Sequence, residues 1–470
     1  MKHKITIAKG DGIGPEIMDA VISILKAAKA PLEYEEVVIG QKAYEAGHMT
    51  GMIPEALEII KKNSVMLKSP ISTPQGGGYK SMNVTIRKRF NLFANVRPVK
   101  TLKPFVKALV PSMDLVIIRE NEEDLYAGIE YQHTEDFYQA VKVITRQGCE
   151  RIVRYAFEYA KANGRKKVTC MSKDNIMKHT DGLFHKIFDE VKLEYPEIET
   201  NHYIVDIGSA RIASRSQEFD VIVTLNLYGD IISDIAAEVA GSVGVCGSAN
   251  AGENFAMFEA IHGSAPDIAG QQKANPSGLL QGALMMLVHL GEGETANLIY
   301  NAWAKTLEDG VHTGDLKSEQ TKKLVSTQEF ADAVCTNLGQ GPSVLKPAAF
   351  LNKPIKIKTR KTPVSKKELR GVDIFIQHEP NQLKSLVDLL PKSLPLSMVC
   401  NRGVKIYPGD LDHISMTDVY RCRYLSSSKI NQSEIIDLLS QLSQKEVLII
   451  KTENLYYFDN KPGFSQSQGE

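Results

Sequence analysis

The chain contains 470 residues, more than one domain usually holds, so we expect two or three domains with enough length to bury a sizeable core. Hydrophobic residues make up 43% of the chain and charged residues 24%, values that are typical of globular proteins and exclude a disordered or fibrous one. The 56 basic residues balance the 56 acidic residues, so no strong overall field favours nucleic acid or a membrane surface. We therefore expect neither nucleic acid nor a membrane as a partner.

Three features of the sequence indicate the cytoplasm. The six cysteines are scattered without a paired spacing, which argues for a reducing compartment and against a disulfide framework or a zinc site. Met1 runs directly into the strand-like residues 5–8, which leaves no room for a signal or transit peptide. The longest apolar stretch, residues 278–290, is interrupted by Gln281 and His289 and is too short to span a bilayer.

Strand-like apolar runs alternate with longer helical patterns over residues 1–350, which predicts an α/β protein with a largely parallel sheet. The first strand covers residues 4–8, and after a glycine turn a helix runs from Pro15 to Ala28, with Pro15 suited to its first turn. Further buried strands are predicted at residues 65–67, 115–118, 168–171, 204–205 and 221–225.

A polar segment rich in proline and lysine, residues 341–363, has no hydrophobic periodicity and predicts a domain boundary. Beyond it we predict a strand, a helix, two strand regions, a helix and a strand, at residues 372–377, 380–390, 396–407, 419–425, 433–442 and 447–451. This order is typical of a split βαβ unit, which predicts an α+β domain. The last residues, 463–470, are polar and are expected to be frayed.

The sequence Gly10-Asp-Gly-Ile-Gly14 lies between a predicted strand and a predicted helix, which suggests a dinucleotide-binding loop. The third glycine of the G-x-G-x-x-G motif would fall at Pro15, so the close packing of helix against strand that this motif needs is not specified. A tight structural turn is the favoured interpretation.

Polar and cationic side chains follow the segment 69–78, whose three consecutive glycines suit the close approach of a ligand. Ser81, Asn83, Arg87 and Arg97 bring a hydroxyl, an amide and two guanidinium groups within seventeen residues. Guanidinium groups match carboxylates bidentately, so the cluster favours a small acid with several carboxylates. Taken alone, the glycines would equally suit a mobile surface loop.

Two further segments begin where predicted buried strands end, at the sheet edge where ligands of open α/β sheets gather. Arg119 follows the first of these strands, and Tyr126 beyond it is a candidate proton donor, although an arbitrary tyrosine more often packs. Lys173 follows the second strand, and a lysine in a cationic or desolvated site can exchange protons near neutrality.

Asp230 and Asp234 lie four residues apart on a helix predicted after the strand 221–225, so both carboxylates share one helix face. Like charges this close repel unless a cation lies between them, and oxygen ligands favour Mg²⁺ or Mn²⁺. Without further context, exposed acids that complement the helix dipole are an equally good interpretation.

A loop of small residues from His262 to Gly270 precedes Asn275 and the apolar helix that begins at residue 277. Backbone amides at such a helix start can receive a pyrophosphate. Asp267 would hydrogen-bond ribose hydroxyls and repel a 2′-phosphate.

In their order and spacing these segments resemble the metal-dependent β-decarboxylating dehydrogenases, the family of isocitrate and isopropylmalate dehydrogenases. The matching segments are residues 10–16, 81–97, 119–128, 173–178, 226–234 and 262–275. The resemblance implies the two-domain α/β fold of that family, which is not a Rossmann fold, followed by the small C-terminal α+β domain. The implied boundaries are a large domain of residues 1–92 and 241–350, a small domain of 93–240 with a dimer clasp near 126–146, a linker of 351–365 and a C-terminal domain of 366–462.

The resemblance also implies roles for individual residues in a homodimer or larger homo-oligomer with shared active sites. Tyr126 and Lys173 would perform acid–base work, with Lys173 reaching in from the neighbouring subunit. Asp230 would ligate Mg²⁺ or Mn²⁺ with Asp206 of the partner subunit, and Asp234 would lie beside them. The substrate carboxylates would be held by Ser81, Asn83, Arg87, Arg97 and Arg119. The cofactor would be contacted by Ile13, Thr73, His262, Gly263, Asp267, Ile268, Asn275 and Asp315.

Within this family the residues favour isocitrate, oxidised to 2-oxoglutarate and CO₂ in the tricarboxylic acid cycle. Ser81 and Asn83 offer polar groups to a third carboxylate where isopropylmalate enzymes carry an apolar pocket. Homoisocitrate stays an alternative, since one methylene discriminates by only about 1–3 kcal/mol. NADP-using relatives carry Lys and Tyr where this chain has Asp267 and Ile268, and Tyr and Arg where it has Gly314 and Ser318. The resemblance therefore predicts NAD.

A non-catalytic alternative is a regulatory subunit that binds ligands without turning them over. Such relatives have lost catalytic residues, whereas this chain keeps Tyr126, Lys173, Asp206, Asp230 and Asp234. An enzyme is therefore favoured. For the C-terminal domain, similarity to longer bacterial relatives implies a role in subunit association, with effector binding as the alternative.

Overall fold

The structure is a computed structural model that describes residues 2–73, 81–350, 355–360, 364–409 and 414–467. The three consecutive glycines at positions 76–78 and parts of the predicted linker lie outside these residues. The chain divides into two compact units. Unit 1 comprises Met1–Ala127, Val143–Ile176 and Asp181–Arg360, and unit 2 comprises Gly128–Lys142, Met177–Thr180 and Lys361–Glu470.

The strands are β1 (His3–Ala8), β2 (Leu32–Glu36), β3 (Val65–Lys68), β4 (Ala94–Lys100), β5 (Asp114–Glu120), β6 (Glu130–Gln132), β7 (Tyr138–Ala140), β8 (Lys167–Ser172), β9 (Glu199–Ile204), β10 (Val221–Thr224), β11 (Gly247–Ala251), β12 (Ala256–Ala260), β13 (Val311–His312), β14 (Lys323–Leu324), β15 (Lys367–Gln377), β16 (Leu396–Asn401), β17 (Val404–Tyr407), β18 (Val419–Leu425), β19 (Leu448–Phe458) and β20 (Lys461–Pro462).

The helices are α1 (Gly14–Ala27), α2 (Gln41–Glu45), α3 (Pro54–Asn63), α4 (Met82–Arg89), α5 (Arg146–Ala162), α6 (Thr180–Lys192), α7 (Val205–Arg215), α8 (Asn226–Ala240), α9 (Ser277–His289), α10 (Gly293–Glu308), α11 (Thr327–Thr336), α12 (Leu383–Leu389) and α13 (Gln432–Gln444). Short 3₁₀ helices cover Leu125–Ala127, Ser216–Glu218, Val243–Val245, Pro266–Ile268 and Gly314–Leu316.

Unit 1 is built on a ten-stranded sheet in the order β2-β1-β3-β12-β11-β4-β5-β10-β8-β9. The three pairs at each end of this order are parallel, and the three central pairs, from β12 to β5, are antiparallel. Strands β5 and β10 are almost fully buried, which explains their continuous apolar runs. The predicted α/β class is confirmed.

The prediction of a strand at residues 204–205 is wrong. Ile204 ends β9, and Val205 begins α7. Because β9 lies at the edge of the sheet, it tolerates polar residues such as His202 along its length, and its apolar signal falls only at its last residue. Sequence periodicity therefore missed most of this strand.

Unit 2 contains a six-stranded antiparallel sheet in the order β17-β16-β18-β15-β19-β20. Helix α12 connects β15 to β16 along the chain, and β18 lies between these two strands in the sheet. The predicted split βαβ arrangement is therefore present. The hairpin β6–β7 belongs to the same unit, where Lys451 Nζ donates to Gln139 Oε1 at 3.3 Å. The expected fraying is wrong for Ser467, which is buried with its Oγ 2.8 Å from Cys400 Sγ.

The predicted division of the first 350 residues into a large and a small domain stays a prediction, since one sheet runs through both parts. All six cysteines are free, and five of them are buried. Among the described residues, no helix combines the length and the apolar character needed to cross a membrane.

Candidate active site

The glycine turn between β1 and α1 is shaped by a second loop that packs on it. Gly10 and Gly12 have positive φ angles of 63° and 59°. A Cβ atom on Gly12 would lie 1.9 Å from the Ser264 carbonyl oxygen, and the Ile13 amide donates to that oxygen at 2.9 Å. The glycines are thus required by backbone approach, which agrees with a structural turn.

Asp11 ties this turn to two other segments. Its carboxylate accepts hydrogen bonds from the Gln41 and Ser72 amides, each at 2.9 Å. The hydroxyls of Ser72 and Ser264 lie 2.9 Å apart. Three of the predicted cofactor segments, around Ile13, Thr73 and residues 262–268, therefore meet here, with Thr73 exposed.

Two loops farther along the chain carry the remaining predicted cofactor residues. Asn275 Nδ2 donates to Asp315 Oδ2 at 2.9 Å, and Asn275 Oδ1 accepts the Ser277 amide at 2.9 Å, at the start of α9. His262 Nδ1 lies 3.0 Å from the Gly263 carbonyl oxygen, whereas its buried Nε2 meets no hydrogen-bond partner among the residues that the structure describes. Burial lowers the pKa of His262, which favours the neutral ring.

The residues on which the cofactor prediction depended are placed as follows. Asp267 is exposed on the short helix Pro266–Ile268, and Ile268 packs partly against the core. Gly314 is exposed. Ser318 is turned inwards, and its Oγ donates to the Phe105 carbonyl oxygen at 3.2 Å.

Arg87 lies buried on α4 and forms an ion pair that sequence reasoning missed. Its Nη2 is 3.0 Å from Glu259 Oε1, and Lys68 Nζ is 2.7 Å from Glu259 Oε2. Burial raises the pKa of Glu259, but Lys68 and Arg87 outweigh that effect and hold the pKa well below its usual range. The sequence signal for these ion pairs was a charged residue within each of two short buried strands, Lys68 in β3 and Glu259 in β12.

Two buried polar atoms of α4 have no hydrogen-bond partner among the residues that the structure describes. They are Asn83 Oδ1 in the first turn and Arg87 Nε in the last turn. Ser81, at the start of the same helix, is half-buried. Buried polar groups usually find partners, and residues four apart share one helix face, so this face of α4 fits a polar ligand.

Arg97, Arg119, Tyr126 and Asp230 form a connected cluster. Asp230 Oδ1 accepts from Arg119 Nη1 and lies 3.2 Å from Arg97 Nη2, and Asp230 Oδ2 accepts from the Tyr126 hydroxyl at 2.6 Å. Both arginines are buried, at 5% and 1% exposure, and Arg119 lies near the end of β5, where the apolar run before it predicted a strand end. Two guanidinium groups, a phenol and a carboxylate are thus held together at one sheet edge.

Helix α8 supports this cluster through residues that the sequence did not single out. Asn226 Oδ1 accepts from Arg119 Nε at 3.0 Å and from Nη2 at 2.8 Å. A Cβ atom on Gly229 would lie 2.5 Å from Arg119 Cγ, so only glycine lets the helix approach this closely. Ser233 Oγ accepts from Arg97 Nη1 at 2.6 Å.

The charges set the protonation of the cluster. Burial raises the pKa of Asp230, but the charges of Arg119 and Arg97 lower it by more. The net pKa is below the usual value, so the carboxylate is ionised. Burial lowers the pKa of Arg119 to about 10, which leaves it cationic at neutral pH. Burial also raises the pKa of Tyr126, which keeps its phenol protonated and able to donate.

Asp234 lies one turn after Asp230 on the same face of α8, with a side chain that is 65% exposed. Its carboxylate is 3.5 Å from Arg97 Nη1. Burial and the neighbouring Asp230 raise its pKa, and Arg97 opposes them. An ionised carboxylate, with a second one beside it open to solvent, is a donor set that fits Mg²⁺ or Mn²⁺.

Lys173 and Asp206 form a separate pair. Lys173 Nζ lies 3.0 Å from Asp206 Oδ2, and this contact lowers the pKa of the Asp206 carboxyl. Lys173 follows β8, and Asp206 is in the first turn of α7. In the described part of the chain, neither residue forms an ion pair or hydrogen bond with Tyr126 or Asp230. One subunit thus divides the predicted acid–base and metal residues into two groups, Tyr126 with Asp230 and Asp234, and Lys173 with Asp206.

Guanidinium groups that converge on one carboxylate beside a protonated phenol define an enzyme that acts on a small acid. The chain belongs to the isocitrate/isopropylmalate dehydrogenase family, which it matches over residues 4–334. Residues 367–470 match the C-terminal domain of bacterial isocitrate dehydrogenase. The predicted fold class is therefore confirmed in full.

Individual relatives agree with this assignment. An isocitrate dehydrogenase [NADP] of Rickettsia bellii is 52% identical over 482 residues, 99% of each chain. A solved structure of a protein from Thermus thermophilus has a TM-score of 0.93 at 42% identity, covering 100% of this chain and 96% of that one. A catalytic subunit named isocitrate dehydrogenase [NAD], from Arabidopsis thaliana, is 43% identical over 335 residues, 71% of this chain and 88% of its own.

The prediction of NAD is wrong. Six relatives that are 42–52% identical over 99% of this chain are all named isocitrate dehydrogenase [NADP]. The prediction rested on the absence of one set of phosphate ligands, and that absence does not exclude another set. The carboxylate of Asp267 is exposed, so water screens its repulsion of a phosphate. Lys273 and Lys317 are exposed in the same two loops.

Proposed function

We propose that this protein catalyses the oxidative decarboxylation of isocitrate to 2-oxoglutarate and CO₂, with NADP as the hydride acceptor and Mg²⁺ or Mn²⁺ as the metal. The observation that carries the proposal is the cluster of Arg97, Arg119, Tyr126 and Asp230, which combines acid-binding groups with a proton donor and an ionised carboxylate. The names of the full-length relatives support isocitrate and NADP.

The substrate is bound through its carboxylates. Arg97 and Arg119 are fixed by hydrogen bonds to Ser233 and Asn226, so their guanidinium groups are oriented before the substrate arrives. The Ser81 hydroxyl and the amide nitrogen of Asn83 can donate to a third carboxylate, whereas the Asn83 amide oxygen can only accept. Isopropylmalate, which has an apolar group instead, would leave these two donors without a partner.

The metal is held by Asp230 and Asp234, completed by Asp206 of the partner subunit. Asp230 is kept ionised by its two arginines, so it can serve as a ligand at neutral pH. The exposed Asp234 carboxylate can turn towards a cation. When bound, the metal supplies Lewis acidity to the hydroxyl and keto oxygens of the substrate, and NADP accepts the hydride from C2.

The proton transfers are assigned to two side chains. Lys173 of the partner subunit takes the proton of the 2-hydroxyl group as that carbon is oxidised. After CO₂ has left, Tyr126 donates its phenolic proton to C3 of the product. Burial raises the pKa of Tyr126, so the proton is present when it is needed, and Arg119 lies 4.9 Å from the ring, where it stabilises the phenolate that forms.

The 2′-phosphate of NADP is assigned to Lys273 and Lys317. The hydrogen bond between Asn275 and Asp315 joins the two loops, and each lysine lies two residues from one of the bonded partners. Both side chains are exposed and carry charge that suits a phosphate.

A kinetic panel tests the substrate and the cofactor together. The full-length protein is assayed with isocitrate, homoisocitrate and isopropylmalate, each with NADP and with NAD. We expect the highest kcat/KM for isocitrate with NADP, by at least tenfold over either other acid and over NAD. A higher kcat/KM for homoisocitrate than for isocitrate would overturn the proposed substrate. A preference for NAD would overturn the proposed cofactor.

The shared site has a separate test by complementation. We propose a homodimer in which Lys173 and Tyr126 of one site come from different subunits. Lys173→Met and Tyr126→Phe chains are each expected to be nearly inactive. Co-expressed, they form mixed dimers in which one site carries both changes and the other carries neither, so activity returns. If mixed dimers isolated with two different tags stay inactive, the two residues belong to the same subunit's site.

A further inference from the structure

Three side chains, one just after β8 and one each from α6 and β9, converge outside the proposed active site. Asp174 follows β8, His185 lies on α6 and His202 lies on β9. One donor atom from each of the three residues lies within 4.8 Å of the others. Their side chains are partly buried, at 20–26% exposure.

The carboxylate of Asp174 faces both rings. Its Oδ2 is 2.8 Å from His185 Nδ1, and its Oδ1 is 3.6 Å from His202 Nε2. Neighbouring ligands of a tetrahedral zinc ion are about 3.3 Å apart, since zinc–nitrogen and zinc–oxygen bonds are about 2.0–2.2 Å. These two distances run to different oxygens of Asp174, and all three donor atoms lie within 4.8 Å of one another. Turning the carboxylate and the two stacked rings would bring the donors onto one ion.

The charges favour a cation between these groups. The two imidazole rings stack with centroids 3.7 Å apart and an angle of 16°, which disfavours a positive charge on both. Asp189 adds a second carboxylate, 3.7 Å from His185 Nε2. Lys192 Nζ lies 2.6 Å from Asp189 Oδ1 and neutralises part of that charge.

Ser172 completes the surroundings. Its Oγ lies 3.0 Å from Asp174 Oδ1 and 2.8 Å from His202 Nε2. The bond to Asp174 is an outer hydrogen bond of the kind that holds metal ligands in place, whereas His202 Nε2 would exchange its contact with Ser172 for the ion.

We propose that Asp174, His185 and His202 bind a divalent transition-metal ion of the zinc class, at a site distinct from the proposed catalytic metal site. Two imidazoles and one carboxylate suit zinc better than magnesium, which prefers oxygen ligands and keeps several waters. The ion joins β8, α6 and β9, and it fixes the backbone immediately after Lys173. This site does not depend on the proposed reaction.

The test measures bound zinc on the full-length protein. Wild type, His185→Ala, His202→Ala and Asp174→Asn are dialysed against buffered Zn²⁺ with excess Mg²⁺, and zinc per chain is determined. His48→Ala is the matched control, since His48 is not part of this cluster. We expect each of the three variants to hold one equivalent less than wild type and the control.

Zinc also competes for the proposed catalytic site, and that contribution cancels when the variants are compared with wild type. Co²⁺ substitution gives a second readout, as a visible absorption band that wild type has and His202→Ala lacks. An unchanged melting midpoint in Mg²⁺ shows that each variant is folded. Equal zinc content and equal Co²⁺ spectra in folded variants and wild type would overturn the proposal.

Discussion

Replacing Tyr126 with phenylalanine removes one oxygen atom from the centre of the arginine and aspartate cluster. The lost group is a hydroxyl that donates to Asp230 Oδ2 at 2.6 Å. The ring itself stays and keeps its packing against Arg119, whose guanidinium lies 4.9 Å from the ring centroid. The change therefore tests the proton and the hydrogen bond with little change of shape.

Two magnitudes follow from this geometry. A hydrogen bond to an ionised acceptor contributes about 1.5–3 kcal/mol, and the half-buried position of Tyr126 puts its loss at the low end of that range. A positioned general acid contributes about 10²- to 10⁴-fold to the rate. We expect kcat with isocitrate to fall by at least about 10²-fold, while KM changes little, because the arginines that bind the carboxylates remain.

Tyr195→Phe is the matched control. Tyr195 is buried, and its hydroxyl donates to Glu158 Oε1 at 2.7 Å, so the same type of bond to a carboxylate is lost elsewhere in unit 1. Steady-state kinetics and urea unfolding of both variants separate catalysis from stability. The assignment of Tyr126 as the proton donor fails if Tyr126→Phe keeps the wild-type kcat, or if Tyr195→Phe loses as much activity.

Three further predictions concern binding, cofactor choice and pH. Arg119→Lys cannot reach both Asn226 and Asp230, so KM for isocitrate is expected to rise at least about tenfold in steady-state assays. Lys273→Ala combined with Lys317→Ala is expected to raise KM for NADP about tenfold and to leave KM for NAD unchanged, since only NADP carries the 2′-phosphate. Burial raises the pKa of Glu120 from 4.5 to about 7, so the folded chain holds a proton that the unfolded chain releases. Its contribution to stability, on the order of 3 kcal/mol, is present below pH 4.5 and is lost as the pH rises through about 7; urea unfolding of Glu120→Gln should lack that loss.

Strand ends were the most informative signal for the site. Arg119 follows a continuous apolar run, and such a run predicts a buried strand whose end lies at the ligand edge. Asp230 and Asp234 share a helix face because of their spacing alone, and the structure has them on one helix. These placements depend on local periodicity, which a single sequence records.

Other parts of the site depend on contacts between distant segments. Glu259 is ionised only because Lys68 and Arg87, more than 170 residues earlier in the chain, reach it in the fold. Gly229 matters only because Arg119 lies against it, and nothing around it in the sequence indicates that approach. The zinc-class site joins residues from three elements, and the scattered histidines gave no spacing that predicts a metal site.

The error about the cofactor has a different origin. Asp267, Ile268, Gly314 and Ser318 differ from one known set of phosphate ligands, and the prediction treated that difference as the absence of any set. Asp267 is exposed and Ser318 is turned towards Phe105, so neither side chain closes the region to a phosphate. Lys317 is exposed next to these residues and carries a positive charge. The ligand pattern of other chains has no lysine at this position, so it could not identify Lys317 as a phosphate ligand.

The product stoichiometry with isocitrate tests the central claim most directly. The full-length protein is given isocitrate labelled with ¹³C in the carboxylate on C3, with NADP and Mg²⁺, and NADPH, labelled CO₂ and 2-oxoglutarate are counted in one reaction. Oxidative decarboxylation predicts one of each per turnover, with none formed when the metal is chelated. NADPH formed without labelled CO₂, or equal turnover in the presence of the chelator, would contradict it.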